Sequence, residues 1–471
     1  MMIRVFLALL FLILPACSGV QIKGISSYPT DQSRLLLYVH SIESITEDLH
    51  FDLSSISLQD EAGNWLVVSD KPVEIGSREL VSKQKLIREL FVKPGYYSRI
   101  RLVVSNAYIK RNNSDLILAL PAPNGEVLID SPLRLQIGDS TVLSIIWNPQ
   151  NSVRNEDGFI PDLKVEPELS SPRDLLLFVS NSGSNYLSII DRSLERVVGA
   201  VTVGMKPSGM AFDATRDWLY VVNSGSRSVS VVDTTQYRVD DSIPLTTGIE
   251  PTDVVFVPDF YSLVEGSLYI VNKRSNDVTV LNTQSRRVLK TIPVGNRPSA
   301  IAVDINSRQV YVANELSDTL SIINTVENRV VSTISVERRP TGIVIGADNV
   351  YVLNKDSMSI SVISKTSGTV VDTIALIDPP ARGLYTMADT LFITSMLSGK
   401  LTSLNASQHL ATWYMDVGDG PFNMAWDMER NRLYVVNNSG NTVSIIDPHG
   451  EKLLKKQEVG NAPYGVLLLE R

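Results

Sequence analysis

The string Leu-Tyr-Val-Val-Asn at residues 219–223 recurs in variant form six more times along the chain. The copies start at residues 177, 219, 268, 310, 350, 391 and 433, so successive copies lie 42, 49, 42, 40, 41 and 42 residues apart. Each copy is followed by a second apolar string that ends in a turn residue, such as Leu187–Asp191. A Val-rich run ending in Val-Gly-x-x-Pro, or a relative of it, and a fourth short apolar run complete each repeat.

Four short strands in a repeat of this length are typical of one blade of a β-propeller. The strands are near-continuous runs of Val, Ile, Leu and Tyr, as expected for sheets that neighbouring sheets cover on both faces. In each Val-Gly-x-x-Pro, Gly permits a sharp turn and Pro fixes the entry into the next inner strand. A β-solenoid has shorter coils. The seven repeats therefore predict a seven-bladed propeller, although the fifth linker reads Ile377–Ala381 and the sixth repeat has Ser395 in place of the strand-end Asn.

These repeats resemble the YVTN family of β-propellers, and the resemblance covers residues 172–471. The order of strands within the repeat also predicts how the ring closes. The first propeller strand, Leu175–Asn181, has no inner strand before it, whereas Gly465–Leu469 matches an inner strand with no outer strands after it. We therefore expect the C-terminal strand to pair with the first propeller strand, which would remove open sheet edges.

The N-terminus is typical of a targeting segment. Arg4 precedes the apolar run Val5–Leu14, and Leu14-Pro15-Ala16-Cys17 resembles the lipobox of bacterial lipoproteins. In that family the signal peptide (residues 1–16 here) is removed, and the cysteine carries acyl chains such as palmitate that anchor the protein stably. Cys17 is the only cysteine. By resemblance to the sorting rule of Gram-negative lipoproteins, Ser18 after it implies the outer membrane of the cell envelope. The alternative is an ordinary secretory signal with an incidental cysteine.

Residues 17–29 are predicted to be a tether and residues 30–168 a β-sandwich domain. Short apolar strings such as Leu35–Ile42 and Thr141–Trp147 alternate with turn signals in this region. The run Gly95–Val104 resembles an uncharacterised sandwich domain of bacterial lipoproteins, which implies no known activity. Lys83–Phe91 is predicted to form a short helix. The chain enters the first blade from the face that bears the turns between inner and second strands, so we expect the sandwich to hang from that face.

Composition and motifs argue against several classes of function. The net charge is −8 and no long basic run is present, so nucleic acid is not an expected partner. The four histidines form no metal-binding motif, and no haem-attachment, phosphate-loop or nucleophile-elbow motif occurs. We therefore predict no catalytic residues, no cofactor and no metal. Some lactonases use related propellers with acidic channel residues, which leaves a hydrolase as an alternative.

The mouth of the predicted channel, where the inner strands begin, carries the candidate ligand-binding residues. Most inner strands have a small residue two positions after the Pro, as at Gly209 and Gly342. Asp253 and Asn423 break this pattern, and Arg382 replaces the Ser or Thr found beside it in other repeats. Asp253, Arg382 and Asn423 could form a polar ligand site. They could equally be the wall of a solvated funnel.

Charged side chains also surround the predicted mouth, and they could form either a solvated rim or a docking patch. They are Lys273, Arg274, Arg297, Arg338, Arg339, Lys355, Glu315, Asp318, Glu337 and Asp356. The opposite face carries the inserted loop Asp259–Gly266, with Phe260, Tyr261 and Leu263. Adjacent apolar residues in a loop are expected to pack on the sandwich or to form a partner surface.

The sequence therefore favours a non-enzymatic binding or scaffold protein held at the membrane by a lipid anchor. Its expected partner is an envelope or extracellular protein or a glycan, recognised through propeller loops. The alternative is a lactonase-like hydrolase that acts at the channel mouth through Asp253, Arg382 and Asn423. Fold alone does not choose between them.

Overall fold

The computed structural model describes residues 31–41, 47–81, 83–112, 114–121, 124–154, 157–166, 175–259 and 266–469. Within these ranges the chain forms forty β-strands and two short 3₁₀ helices, so the predicted all-β class is confirmed. Neither of these helices approaches the length or apolar character needed to span a bilayer, and the described ranges hold no others. Cys17 and the loop residues Phe260, Tyr261 and Leu263 lie outside the described residues.

The N-terminal part contains two larger sheets that share one hydrophobic core. Its strands are β1 (Ser33–Ser41), β2 (Asp48–Asp60), β3 (Trp65–Ser69), β4 (Val73–Gly76), β5 (Gln84–Val92), β6 (Gly95–Lys110), β7 (Leu116–Ile117), β8 (Glu126–Leu135), β9 (Ser140–Asn148), β10 (Val153–Arg154), β11 (Gly158–Phe159) and β12 (Asp162–Val165), with 3₁₀ helices at Arg78–Leu80 and Pro149–Asn151. One sheet has the order β12-β9-β1-β5, and the other is built around β2 and β6. Phe51 and Trp147, from different sheets, meet edge to face in the core with ring centroids 4.8 Å apart.

The predicted helix at Lys83–Phe91 is wrong, because this segment is strand β5. It pairs with β1 from Ser33–Val92 to His40–Gln84, and a bulge interrupts the register between Leu37 and Tyr38. The bulge lets Ile87 and Leu90, three residues apart, both enter the core. This spacing imitates the period of an amphipathic helix.

From residue 176 onward, the described residues form seven four-stranded antiparallel sheets. The first sheet contains β13 (Leu176–Asn181), β14 (Tyr186–Asp191), β15 (Arg196–Thr202) and β40 (Pro463–Leu468). The second contains β16 (Pro207–Asp213), β17 (Trp218–Asn223), β18 (Ser228–Asp233) and β19 (Arg238–Pro244), and the third β20 (Pro251–Pro258), β21 (Gly266–Asn272), β22 (Asp277–Asn282) and β23 (Arg287–Pro293).

The remaining four sheets follow the same order, with strands consecutive along the chain. The fourth contains β24 (Pro298–Asp304), β25 (Gln309–Asn314), β26 (Thr319–Asn324) and β27 (Arg329–Ser335), and the fifth β28 (Pro340–Ile345), β29 (Asn349–Asn354), β30 (Ser359–Ser364) and β31 (Val370–Ala375). The sixth contains β32 (Arg382–Thr386), β33 (Thr390–Ser395), β34 (Lys400–Asn405) and β35 (Leu410–Asp416), and the seventh β36 (Pro421–Asp427), β37 (Arg432–Asn437), β38 (Thr442–Asp447) and β39 (Lys452–Glu458). Each sheet is open, with an edge strand on either side.

The first sheet takes its innermost strand from the far end of the chain. Leu468 of β40 pairs with Leu177 of β13, and Val466 pairs with Val179. The innermost strands β16, β20, β24, β28, β32, β36 and β40 contact one another in this order, and β40 also contacts β16. The series of neighbours thus returns to its start, which places the inner edges of the sheets around one axis.

The Asn that ends the second strand of a repeat explains the Gly in the linker that enters the same sheet. In the fourth sheet, the Asn314 Nδ2 donates to Thr319 Oγ1 (3.0 Å) and Ser321 Oγ (2.9 Å). The backbone of Gly295 lies directly on this amide, and a Cβ at Gly295 would stand 2.6 Å from Asn314 Cγ. The equivalent pairs are Gly204 with Asn223, Gly248 with Asn272, Gly418 with Asn437, and Gly460 with Asn181. The two halves of the repeat motif are therefore one packing unit.

The N-terminal part packs against the perimeter of the repeat region, so the expectation that it hangs from one face is wrong. The Gln84 side chain donates to Val197 O (3.1 Å) and accepts from Val197 N (2.9 Å), which caps the outer edge of β15. The Leu86 backbone N donates to Glu458 Oε2 (2.8 Å) at the last sheet. Tyr38 and Leu36 complete the apolar cluster between the first and seventh sheets, which explains the sideways docking.

Candidate functional site

A cavity of about 390 Å³ opens on the face where the linkers enter the inner strands. Its wall includes five cationic side chains and two carboxylates, namely Lys273, Arg297, Arg339, Lys355, Arg382, Glu250 and Glu315. The repeat geometry brings them together. Lys273, Glu315 and Lys355 directly follow strand-end Asn residues, whereas Arg297 and Arg339 directly precede the Pro of an inner strand. Both kinds of position lie on the same face of the sheets.

Glu315 is the centre of the cationic cluster. Its carboxylate is almost fully buried and receives Lys273 Nζ (3.2 Å), Arg297 Nε (3.2 Å) and Arg339 Nε (2.9 Å). Burial by itself would raise the pKa of the Glu315 carboxyl, but the surrounding cations outweigh it and hold that pKa below its ordinary value. Glu315 is therefore an anion at neutral pH, and it holds three cations of the wall in fixed positions.

Arg382 is a buried cation that joins several inner strands. Its guanidinium donates to the carbonyl oxygens of Thr341, Ala381 (3.2 Å) and Ser299 (3.1 Å). It also reaches Tyr464 Oη (3.4 Å) and lies 4.5 Å from the centroid of the Phe422 ring. These contacts span four sheets, so Arg382 both organises the axis and adds positive charge to the cavity wall.

Asp253 and Asn423 are described near the axis, but neither lines this cavity. The Asp253 side chain is partly buried, and this burial raises the pKa of its carboxyl to about 6, although Arg382 partly opposes the shift. Its Oδ1 accepts from Val254 N (3.0 Å). Asn423 Nδ2 donates to Tyr464 O (2.9 Å). Of the three predicted ligand-binding residues, the structure therefore places only Arg382 in the cavity wall.

The charged rim divides into two groups. Lys273, Arg297, Arg339, Lys355 and Glu315 line the cavity, whereas the other predicted rim residues do not. The apolar part of the wall was not predicted from the sequence; it consists of Pro379, Pro380, Ala381, Met396, Leu397, Phe422 and Tyr464. The sequence does contain an indication of this apolar surface. In the turn after its second strand, the sixth repeat has Met396 and Leu397 where the fifth repeat has Lys355 and Asp356.

The described residues contain no group of three or more His, Cys, Asp or Glu side chains placed to hold a metal ion. The cavity wall presents cations, two carboxylates, hydroxyl groups and apolar surface. Such a wall can bind and orient an anion.

Comparison with solved structures finds β-propeller proteins among the structural neighbours of this chain. Hydrazine synthase of Kuenenia stuttgartiensis superposes with a TM-score of 0.52 at 18% identity, over 59% of this chain and 93% of that chain. A functionally unknown protein of Desulfotomaculum acetoxidans superposes with a TM-score of 0.53 at 12% identity, over 62% of this chain and 98% of that chain. These likenesses support a β-propeller fold and carry no activity across. No family model and no curated protein matches the sequence.

Replacing Asp253 by Asn should stabilise the protein at pH 8 much more than at pH 4. The carboxyl has a pKa of about 6 in the fold against an ordinary 3.8, so the folded state loses stability as the pH rises through this window. The loss is roughly 2–3 kcal/mol, and a neutral Asn avoids it. Urea unfolding at pH 4, 6 and 8 measures this difference. The exposed Asp348→Asn variant is the control, and an equal gain at all three pH values would contradict the assignment.

Proposed function

We propose that this protein is a lipid-anchored envelope protein whose repeat region, a seven-bladed β-propeller, binds an anionic ligand without transforming it. The observation that carries the proposal is the excess of positive charge in one cavity, where five cations face two carboxylates. Because the chain as a whole has a net charge of −8, this local excess is opposite in sign to the rest of the molecule. A concave site with fixed charge of one sign concentrates ligands of the other sign.

Three features support the proposed architecture. The four-stranded sheets repeat with the period of a propeller blade, their innermost strands follow one another around an axis, and β40 pairs with β13. The two N-terminal sheets that share a core support a β-sandwich at residues 30–168, followed by the propeller at residues 172–471. The outer edge of β15 is covered by Gln84, so the two parts are joined at the perimeter of the repeat region.

The arrangement of polar groups favours binding over catalysis. Arg382 and Asn423 both donate to backbone carbonyl oxygens, so they act as supports of the inner strands. Asp253, whose pKa is about 6, is the one feature that favours the lactonase-like alternative, since it could exchange a proton near neutral pH. It does not line the cavity, and a hydrolase would need it to reach a bound substrate.

Lipid attachment at Cys17 is tested by replacing it with Ser. The wild-type protein should enter the detergent phase of a Triton X-114 extract and incorporate labelled palmitate, because two or three acyl chains bind a membrane stably. The Cys17→Ser variant should remain unlabelled. A variant that still incorporates palmitate, or a wild-type protein that does not, would overturn the anchor.

Ligand binding in the cavity is tested by reversing one cation at a time. Lys355→Glu should abolish retention of bound anions when the protein is purified from envelopes and examined by native mass spectrometry. Arg274→Glu, an equal change of charge outside the cavity, should retain them. Equal retention by both variants would place binding elsewhere. Asn423→Ala should leave retention intact, and loss of turnover on a lactone in this variant would instead support the hydrolase.

A further inference from the structure

The cavity has two chemically different walls that come from different parts of the repeat series. Its rim cations belong to the third, fourth and fifth sheets, through Lys273, Arg297, Arg339 and Lys355. Its apolar residues come from the linker and turn of the sixth sheet and from the inner strands of the seventh and first sheets. They include Pro379, Met396, Leu397, Phe422 and Tyr464. The two groups therefore occupy different arcs of the mouth, and Arg382 lies where they meet.

The cationic arc has N–H donors that its contacts with Glu315 do not use. Each arginine has five N–H donors in a fixed fork, and the contacts of Arg297 and Arg339 with Glu315 use Nε. Arg339 Nη1 also lies 3.6 Å from Asp356 Oδ1, which leaves its other Nη group for a ligand. The ammonium of Lys355 pairs with no carboxylate in the described part of the chain. Several donors on this arc can therefore turn toward a ligand that carries an acidic group.

Part of the apolar arc is accessible to a ligand. Leu397 is 74% exposed at the cavity edge, and the Phe422 ring is only partly buried, between Arg382 and Tyr464. The Phe422 and Tyr464 ring centroids are 4.8 Å apart and the ring planes are tilted by 58°, so the two rings form one aromatic cluster in the cavity wall. A ligand that covered this surface would remove apolar area from water, which is favourable by about 25 cal/mol per Å².

We propose that the ligand is a small amphipathic anion: a carboxylate or phosphate joined to an apolar or aromatic body. The acidic group would meet Lys355, Arg339 and Arg297, and the body would lie on Leu397 and Phe422. The volume of about 390 Å³ is at the lower end of the range for small-molecule sites, which fits a compact ligand better than a polymer. This inference rests on the proposed function and specifies its ligand class.

The test is isothermal titration calorimetry of the full chain in lipid nanodiscs, with the heat from empty nanodiscs subtracted. The probes are 2-naphthoate, 2-naphthyl phosphate, 2-naphthol, acetate and inorganic phosphate. At least one naphthyl anion should bind tenfold or more tightly than both the bare anion and 2-naphthol. The preference between 2-naphthoate and 2-naphthyl phosphate identifies the acidic group.

Two variants measure how much the cationic wall and the apolar wall each contribute to the affinity for the naphthyl anion. Lys355→Gln should weaken the naphthyl anion at least tenfold and leave 2-naphthol unchanged, with Arg274→Gln as its control. Leu397→Ser should weaken the naphthyl anion at least threefold and leave the bare anion unchanged. Its control is Leu316→Ser, an exposed leucine in the equivalent turn of the fourth sheet, outside the cavity.

The outcomes separate this inference from the proposed function. Binding of inorganic phosphate that needs Lys355, with no gain from the naphthyl body, would overturn the amphipathic ligand and retain the anion site. Equal affinity for 2-naphthol and the naphthyl anions would also overturn it. Absence of binding by every anion would overturn both proposals.

Discussion

The contact between the strand-end Asn and the linker Gly is the constraint on which the repeat region depends. Five repeats place the Asn amide against a glycine backbone, with no room for a Cβ. The same amide donates to Ser or Thr hydroxyls of the third strand, as Asn223 does to Ser230 (2.9 Å). One buried side chain thereby fixes the second strand, the third strand and the incoming linker. Because a buried amide that loses its partners costs more than the bond itself is worth, this unit tolerates little change.

This unit also bears on where the proposed ligand site lies. The face that carries the Asn–Gly contacts is the face on which linkers and turns converge, and some of the side chains beside them, such as Lys273 and Arg297, line the cavity there. Two repeats depart from the rule, and both contribute to the cavity. Glu337 stands where other linkers have Gly, two residues before Arg339, and Ser395 replaces the Asn just before Met396 and Leu397. The cavity wall therefore combines both altered repeats with the third and fourth repeats, which keep the packing unit.

Periodic features of the sequence were sufficient for the all-β class and for the strands of each repeat, because burial on both faces imposes continuous apolar runs. Features that depend on single residues, such as a bulge or a docking contact, could not be predicted from periodicity. The bulge beside Tyr38 gave β5 a helical spacing, and Gln84 and Tyr38 set the sideways docking of the N-terminal part without any repeat signal. The charged rim residues were predicted from the sequence. Their contacts with Glu315 were not, because these residues lie in separate loops that only the fold brings together.

The central claim, that Asn and Gly form one packing unit, is tested most directly by a double-mutant cycle on Gly295 and Asn314 measured by urea unfolding. Gly295→Ala should destabilise the protein by about 1–3 kcal/mol because its Cβ meets the Asn314 amide. The same change should cost far less in an Asn314→Ala background. Gly440→Ala, where a Cβ meets only ordinary contacts, is the control. Costs that add to within about 0.5 kcal/mol would contradict the account.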